Sequence, residues 1–229
     1  MSETISTPHR IRSFHPRRGR VSPQREADFQ QLWPALGVQV EERRTDPAAI
    51  FGRRAPLVVE IGSGMGEATA IMAAADPARD YLAVEVHYAG IAHLFGLVDA
   101  AGLTNVRVAR GDAITLLTRM LEPGSVDAIH IFFPDPWPKA RHHKRRLVRP
   151  ENVAVLRDAL RVGGTLHCAT DWPEYAEVML EVLAADPGLA NTTEGYAQRP
   201  DRRPVTKFEQ RGIDAGRPIA DLIFRRVSV

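Results

Sequence analysis

From residue 57 onward the chain alternates two patterns. Short apolar, β-branched runs are each followed by a longer segment with one apolar face, and turn residues separate them. The runs predict strands over residues 57–61, 81–86, 106–109, 126–133 and 166–170, with two late strands near 190–196 and 219–227. Helices are predicted over residues 67–75, 87–101, 113–121 and 172–184. Gly102 is placed to stop the second of these. A further helix opens at Pro150, with Val153, Leu156 and Leu160 on its apolar face, and Gly163-Gly164 is read as its stop. Before residue 57 the pattern gives only a short helix over 24–36 and a linker over 45–56. This alternation predicts an α/β, Rossmann-like fold: a mostly parallel seven-stranded sheet with helices on both faces. Ligands in such sheets bind at the carboxyl ends of strands, so the residues following each strand are where chemistry is sought.

The first strand runs into Glu60-Ile61-Gly62-Ser63-Gly64-Met65-Gly66-Glu67. Glycines there let the backbone turn tightly and approach a ligand. A dinucleotide fingerprint, G-x-G-x-x-G, needs its third glycine at position 67, which is Glu. Acids at both ends of the turn would repel a pyrophosphate and suit a cationic ligand. S-adenosyl-L-methionine, with its sulfonium and ammonium groups, is such a ligand. Glu85 ends the second strand, where a carboxylate is placed for ribose hydroxyls. Asp112 ends the third strand, where it suits an adenine amino group and the N-cap of the next helix together.

Composition narrows the class. The chain has 229 residues, 44% hydrophobic and 25% charged, which fits one globular domain over residues 26–229 preceded by a flexible basic arm over residues 1–25. No apolar stretch approaches the ~18 residues of a membrane span. The polar start has no signal-peptide pattern, so a cytoplasmic protein without a membrane partner is expected. Cys168 is the single cysteine, which excludes an intrachain disulfide; with no matching ligand spacing around His142 and His143, no metal is expected. The net charge of +2 conceals segregation. Residues 4–25 and 139–149 hold 12 of the 30 basic residues and no acid, while the rest carries 18 bases against 28 acids. Two basic segments on an acidic body point to a polyanionic partner.

The fourth strand ends in Phe133-Pro134-Asp135-Pro136-Trp137-Pro138-Lys139, followed by Arg141, His142, His143, Lys144, Arg145 and Arg146. A Pro-flanked acid thus adjoins a cationic run suited to phosphates. Thr170-Asp171-Trp172 ends the fifth strand, and Thr206-Lys207-Phe208-Glu209-Gln210-Arg211-Gly212 reads as a polar late loop. Together with the glycine turn, these segments resemble the bacterial tRNA (guanine-N7-)-methyltransferase family, the one called TrmB, from about residue 12 to 229. The resemblance implies a class I S-adenosylmethionine-dependent methyltransferase fold with a final antiparallel strand, acting on N7 of a guanosine in the tRNA variable loop. It implies cofactor binding by Glu60, Gly62, Glu85, Asp112 and Asp135, with Asp135 catalytic. It assigns substrate binding to Lys139, Asp171, Thr206, Lys207, Phe208 and Glu209, and RNA contact to residues 141–146. Trp137 and Phe208 are each open to stacking on a flipped-out base or to core packing. The residues alone leave open a methyltransferase on another RNA, a non-catalytic RNA-binding protein on the same scaffold, and a monomer or homodimer.

Overall fold

The computed structural model describes residues 22–228, apart from the side chain of Lys207. The predicted arm therefore lies outside the described residues up to position 21. Pro23 to Arg25 already form the first turn of α1 (Pro23–Leu36), capped by the Ser22 side chain.

The strands follow the apolar runs: β2 (Leu57–Ile61), β3 (Asp80–Glu85), β4 (Val106–Arg110), β5 (Val126–Phe132), β6 (Leu160–Thr170) and β8 (Ala220–Arg226). β7 (Leu189–Asn191) is shorter than the alternation predicts, because Asn191 Nδ2 donates to Gly195 O and turns the chain. An eighth strand, β1 (Gly37–Gln39), corrects the count of seven. It has only three residues and no alternation, and its partner is set by the parallel register Gly37 opposite Val108. The sheet order is β1-β4-β3-β2-β5-β6-β8-β7, parallel except that β8 runs antiparallel to both its neighbours. β2 lies between β3 and β5, so the crossovers leave it in opposite directions. A crevice opens at the carboxyl ends there.

Two apolar layers cover the sheet. α3 (Glu67–Ala75) and α4 (Tyr88–Ala100) bury Met72, Ile91, Leu94 and Phe95 on one face, and α1 packs Phe29 onto them. On the other face lie α2 (Pro47–Phe51), α5 (Ala113–Thr115), α6 (Pro150–Ala159) and α7 (Pro173–Ala184), with Phe51, Leu116, Leu156 and Met179 buried. α2 falls inside the predicted linker, bounded by an Asp46 cap and a left-handed Gly52. The helix predicted over 113–121 is short. After α5 the chain widens into one π-turn, with Leu121 N donating to Leu116 O.

Gly163-Gly164 does not stop α6. The helix ends at Ala159, and Leu160, expected on its apolar face, is already strand and fully buried. The glycines serve a bulge instead, where the β5–β6 register shifts between Val126 and Ala128. A Cβ on Gly164 would stand 2.9 to 3.2 Å from three backbone oxygens. The predicted loop around 206–212 is a helix, α8 (Lys207–Asp214), capped by the Thr206 side chain. Its Thr206-x-x-Glu209 spacing is a capping-box pattern.

Candidate active site

The turn after β2 takes left-handed conformations at Gly62, Gly64 and Gly66, with φ of 76°, 58° and 81°. Side chains there would be strained. Gly90 of α4, which the sequence pattern does not single out, allows that helix to meet the turn: a Cβ on it would lie 2.1 Å from Gly64 O. The turn is tied to the next strand by Glu85, whose Oε2 accepts from Gly64 N at 2.9 Å. Its Oε1 accepts from Val86 N and His87 N at 2.6 and 2.8 Å. A carboxylate has further lone pairs, so Glu85 keeps capacity for a ligand.

Glu60 is 4% exposed and accepts from Thr69 Oγ1 at 2.6 Å. Burial pushes its carboxyl from 4.5 up to about 7; the Thr69 hydrogen bond opposes this and the nearby Glu85 charge adds to it. A cation beside it would reverse that shift. Asp112 caps α5, accepting from Thr115 N at 2.8 Å and Thr115 Oγ1 at 3.1 Å.

Two adjoining cavities share Gly62, Phe132 and Phe133. One, of about 200 Å³, is lined by Glu85, His87, Gly111, Ala113 and Asp135. The other, of about 430 Å³, is lined by Glu60, Ser63, Gly64, Met65, Thr206, Phe208 and Arg211. Asp135 is exposed at the rim of the first. It stands between the two non-glycine residues with positive φ among the described residues, Phe133 at 51° and Trp137 at 46°. Each of them precedes a proline, which disfavours helical backbone at that position. Such strain persists only where surrounding contacts hold it. Arg146 Nε donates to Pro136 O at 2.9 Å, and its two terminal nitrogens grip Glu174 at 2.9 and 2.5 Å. The Arg145 guanidinium lies 5.0 Å above the Trp137 ring, and His142 meets that ring edge-on at 5.8 Å.

Residues 54–222 match the family model Methyltransf_4, described as "Putative methyltransferase". A tRNA (guanine-N(7)-)-methyltransferase of Streptomyces avermitilis is 54% identical over 95% of this chain and 76% of its own length. One from Burkholderia vietnamiensis is 53% identical over 95% of this chain and 85% of its own. The chain belongs to the tRNA (guanine-N7-)-methyltransferase family. Solved structures agree in fold. The 16S rRNA methyltransferase KamB superimposes with a TM-score of 0.58 at 14% identity, over 81% of this chain and 95% of its own. An rRNA methylase of Streptococcus thermophilus gives 0.52 at 17%, over 76% and 88%.

The family's motif positions fall into three groups in this structure. Glu60, Gly62, Glu85 and Asp135 line the paired cavities, as do Thr206 and Phe208. Phe208 is 52% exposed, with its ring centroid 5.5 Å from that of Phe133. Lys139 and Arg141 to Arg145 form an outward 3₁₀ turn without a buried residue, and Lys139, Arg141 and Lys144 are exposed. Crowding by burial and by Arg145, Arg141, Lys139 and Lys144 lowers the His142 pKa, which favours the neutral ring. The third group is turned inward. Arg146 is 2% exposed in its pair with Glu174, so it does not share the outward face of its neighbours. Asp171 is 7% exposed and pairs with Arg217 at 3.1 Å, tying the end of β6 to the segment after α8. Glu209 is 1% exposed and is held by Arg203, a residue that no sequence pattern marks.

Proposed function

We propose that this chain transfers a methyl group from S-adenosyl-L-methionine to N7 of a guanosine in the variable loop of tRNA. The observation that carries the reading is the pair of adjoining cavities, one lined by Glu85 with Asp135 at its rim and the other by Glu60 and the exposed Phe208. Glu85 and Asp112 suit ribose hydroxyls and the adenine amino group. Glu60 suits the ammonium, since its buried carboxyl gains most from a cation. Bound there, S-adenosylmethionine supplies an electrophilic methyl group on a sulfonium.

Guanine N7 carries an unprotonated lone pair, so the transfer needs no general base. What remains for the protein is positioning and electrostatics. Asp135 presents a carboxylate where the purine gains positive charge, and it is the candidate catalytic residue. Phe208, rather than Trp137, is the candidate stacking surface, because half of it is open while Trp137 already lies between Arg145 and His142. Thr206 lines the larger cavity; Lys139 and Lys207 are further candidates for substrate contact, and Arg141, Lys144 and Arg145 are the candidates for phosphate contact. A tRNA acceptor supports a cytoplasmic activity. Incubation with labelled S-adenosylmethionine and unmodified tRNA, followed by mapping of the product, tests the reading. N7-methylguanosine in the variable loop is expected; methyl incorporation at any other atom, or none, overturns it.

A further inference from the structure

Arg203 is 1% exposed, and four hydrogen bonds leave its guanidinium with two carboxylates. Nε and Nη2 donate to Asp221 of β8, both at 2.8 Å. Nη1 and Nη2 donate to Glu209 of α8 at 2.6 and 2.8 Å. Asp221 also pairs with the buried His167 of β6 at 2.6 Å. Above this cluster the guanidinium lies 5.7 Å from the ring centroids of both Phe132 and Phe133. Those rings form the wall shared by the two cavities, and Phe133 begins the strained turn that carries Asp135. Phe133 in turn touches Phe208, the residue before Glu209.

One cation therefore joins three elements: the sheet through Asp221, the acceptor-side helix through Glu209, and the Asp135 turn through two aromatic faces. Glu209, whose carboxylate has both oxygens engaged by Arg203 and is buried, has no open face toward either cavity's mouth. We propose that Arg203 is a positioning residue for methyl transfer, fixing α8 and the Phe133 turn in one geometry, and that Glu209 serves the reaction through Arg203 rather than by touching the substrate. The proposal rests on the reading of Asp135 and α8 given above.

A lysine at 203 keeps the charge, but its single nitrogen lacks the planar fork that pairs bidentately with both carboxylates at once. Glu209→Gln keeps the shape and weakens the grip. The test is a double-mutant cycle of Arg203→Lys and Glu209→Gln, with kcat and the tRNA KM read separately, and the S-adenosylmethionine Kd measured by calorimetry. Each single variant is expected to lose about tenfold or more in kcat, with KM and Kd within about threefold, and the double variant to be no worse than the poorer single within about threefold. Multiplying losses would show that Glu209 acts independently, and a raised tRNA KM with intact kcat in Glu209→Gln would make it a direct ligand. Either overturns the proposal, as does Arg203→Lys with wild-type kcat or a Kd that weakens in step with kcat. If Arg203→Lys does not fold, the kcat-against-KM division in Glu209→Gln decides alone. Wild-type formation of N7-methylguanosine in the same assay tests the underlying reading separately.

Discussion

Glu60 shows how a single buried group links stability to binding. Its carboxyl is raised from 4.5 to about 7 in the folded chain. The folded state therefore binds the proton more tightly than the unfolded chain does. The stability this gives is complete below 4.5 and is lost as pH rises through about 7. The shift corresponds to roughly 3 kcal/mol at about 1.4 kcal/mol per unit. Glu60→Gln should flatten this loss, which melting curves between pH 4 and 8 will register. A cationic ligand favours the ionised form, so S-adenosylmethionine affinity should rise with pH up to about 7 in the wild type. In Glu60→Gln, calorimetry should find that dependence gone. Asp135 predicts a different signature. Asp135→Asn removes charge at the site of chemistry while leaving the Pro-flanked turn intact. Turnover should fall about 10²-fold, in the range seen for loss of one electrostatic stabiliser, with tRNA affinity within threefold in a filter-binding titration. That both acids line the cavities was legible in the sequence, because Glu60 sits near the end of β2 and Asp135 just after β5. Arg146 and Glu209 were not. A charged residue type says nothing of which partner it meets, and here the partners are Glu174, 28 residues on, and Arg203, six residues back.

At the scale of elements, the Asp135 turn is held by contacts on both sides. Arg146 fixes Pro136 O from below the 3₁₀ turn. Arg146→Met should leave that carbonyl without its donor and free Glu174, at a cost of about 1–3 kcal/mol in urea unfolding, with turnover falling more than S-adenosylmethionine affinity. The β5–β6 bulge gives a prediction without any site consequence. Gly164→Ala must push backbone oxygens apart by several tenths of an ångström. It should cost about 1–3 kcal/mol while kcat per folded molecule is unchanged at temperatures below the transition. The same glycine pair, read locally, resembles a helix stop. Only the register shift against β5 makes it a strand feature, since a bulge is a property of two strands and one segment does not contain it. α8 failed for another reason. Its eight residues carry a capping pattern, but they are mostly polar, with Phe208 and Ile213 five apart and Gly212 between them, so periodicity gave no core-facing stripe.

The whole molecule sets which basic residues reach solvent. Lys139, Arg141 and Lys144 are exposed on one turn that follows Asp135 in the chain, whereas Arg146 belongs to the interior. Arg141→Ala with Lys144→Ala should weaken tRNA binding with little effect on kcat at saturating tRNA. The salt dependence of log K should become shallower by about 1.4 to 1.8 for the two charges, at roughly 0.7 to 0.9 for each phosphate no longer neutralised. The alternation of apolar runs and helices determined the α/β class, the parallel order of the central strands and the strand-end acids, because burial on both faces constrains sequence locally and repeatedly. It also placed Asp135 beside a basic run. Tertiary structure alone decided that β1 joins the sheet, that Glu85 clamps the glycine turn, and that Arg203 gathers Glu209, Asp221 and two phenylalanines. Apart from Arg203 and Glu209, six residues apart across the cap of α8, those are pairings between residues distant in the chain. Their partners are chosen by geometry after collapse, and no local pattern of residue types encodes that choice.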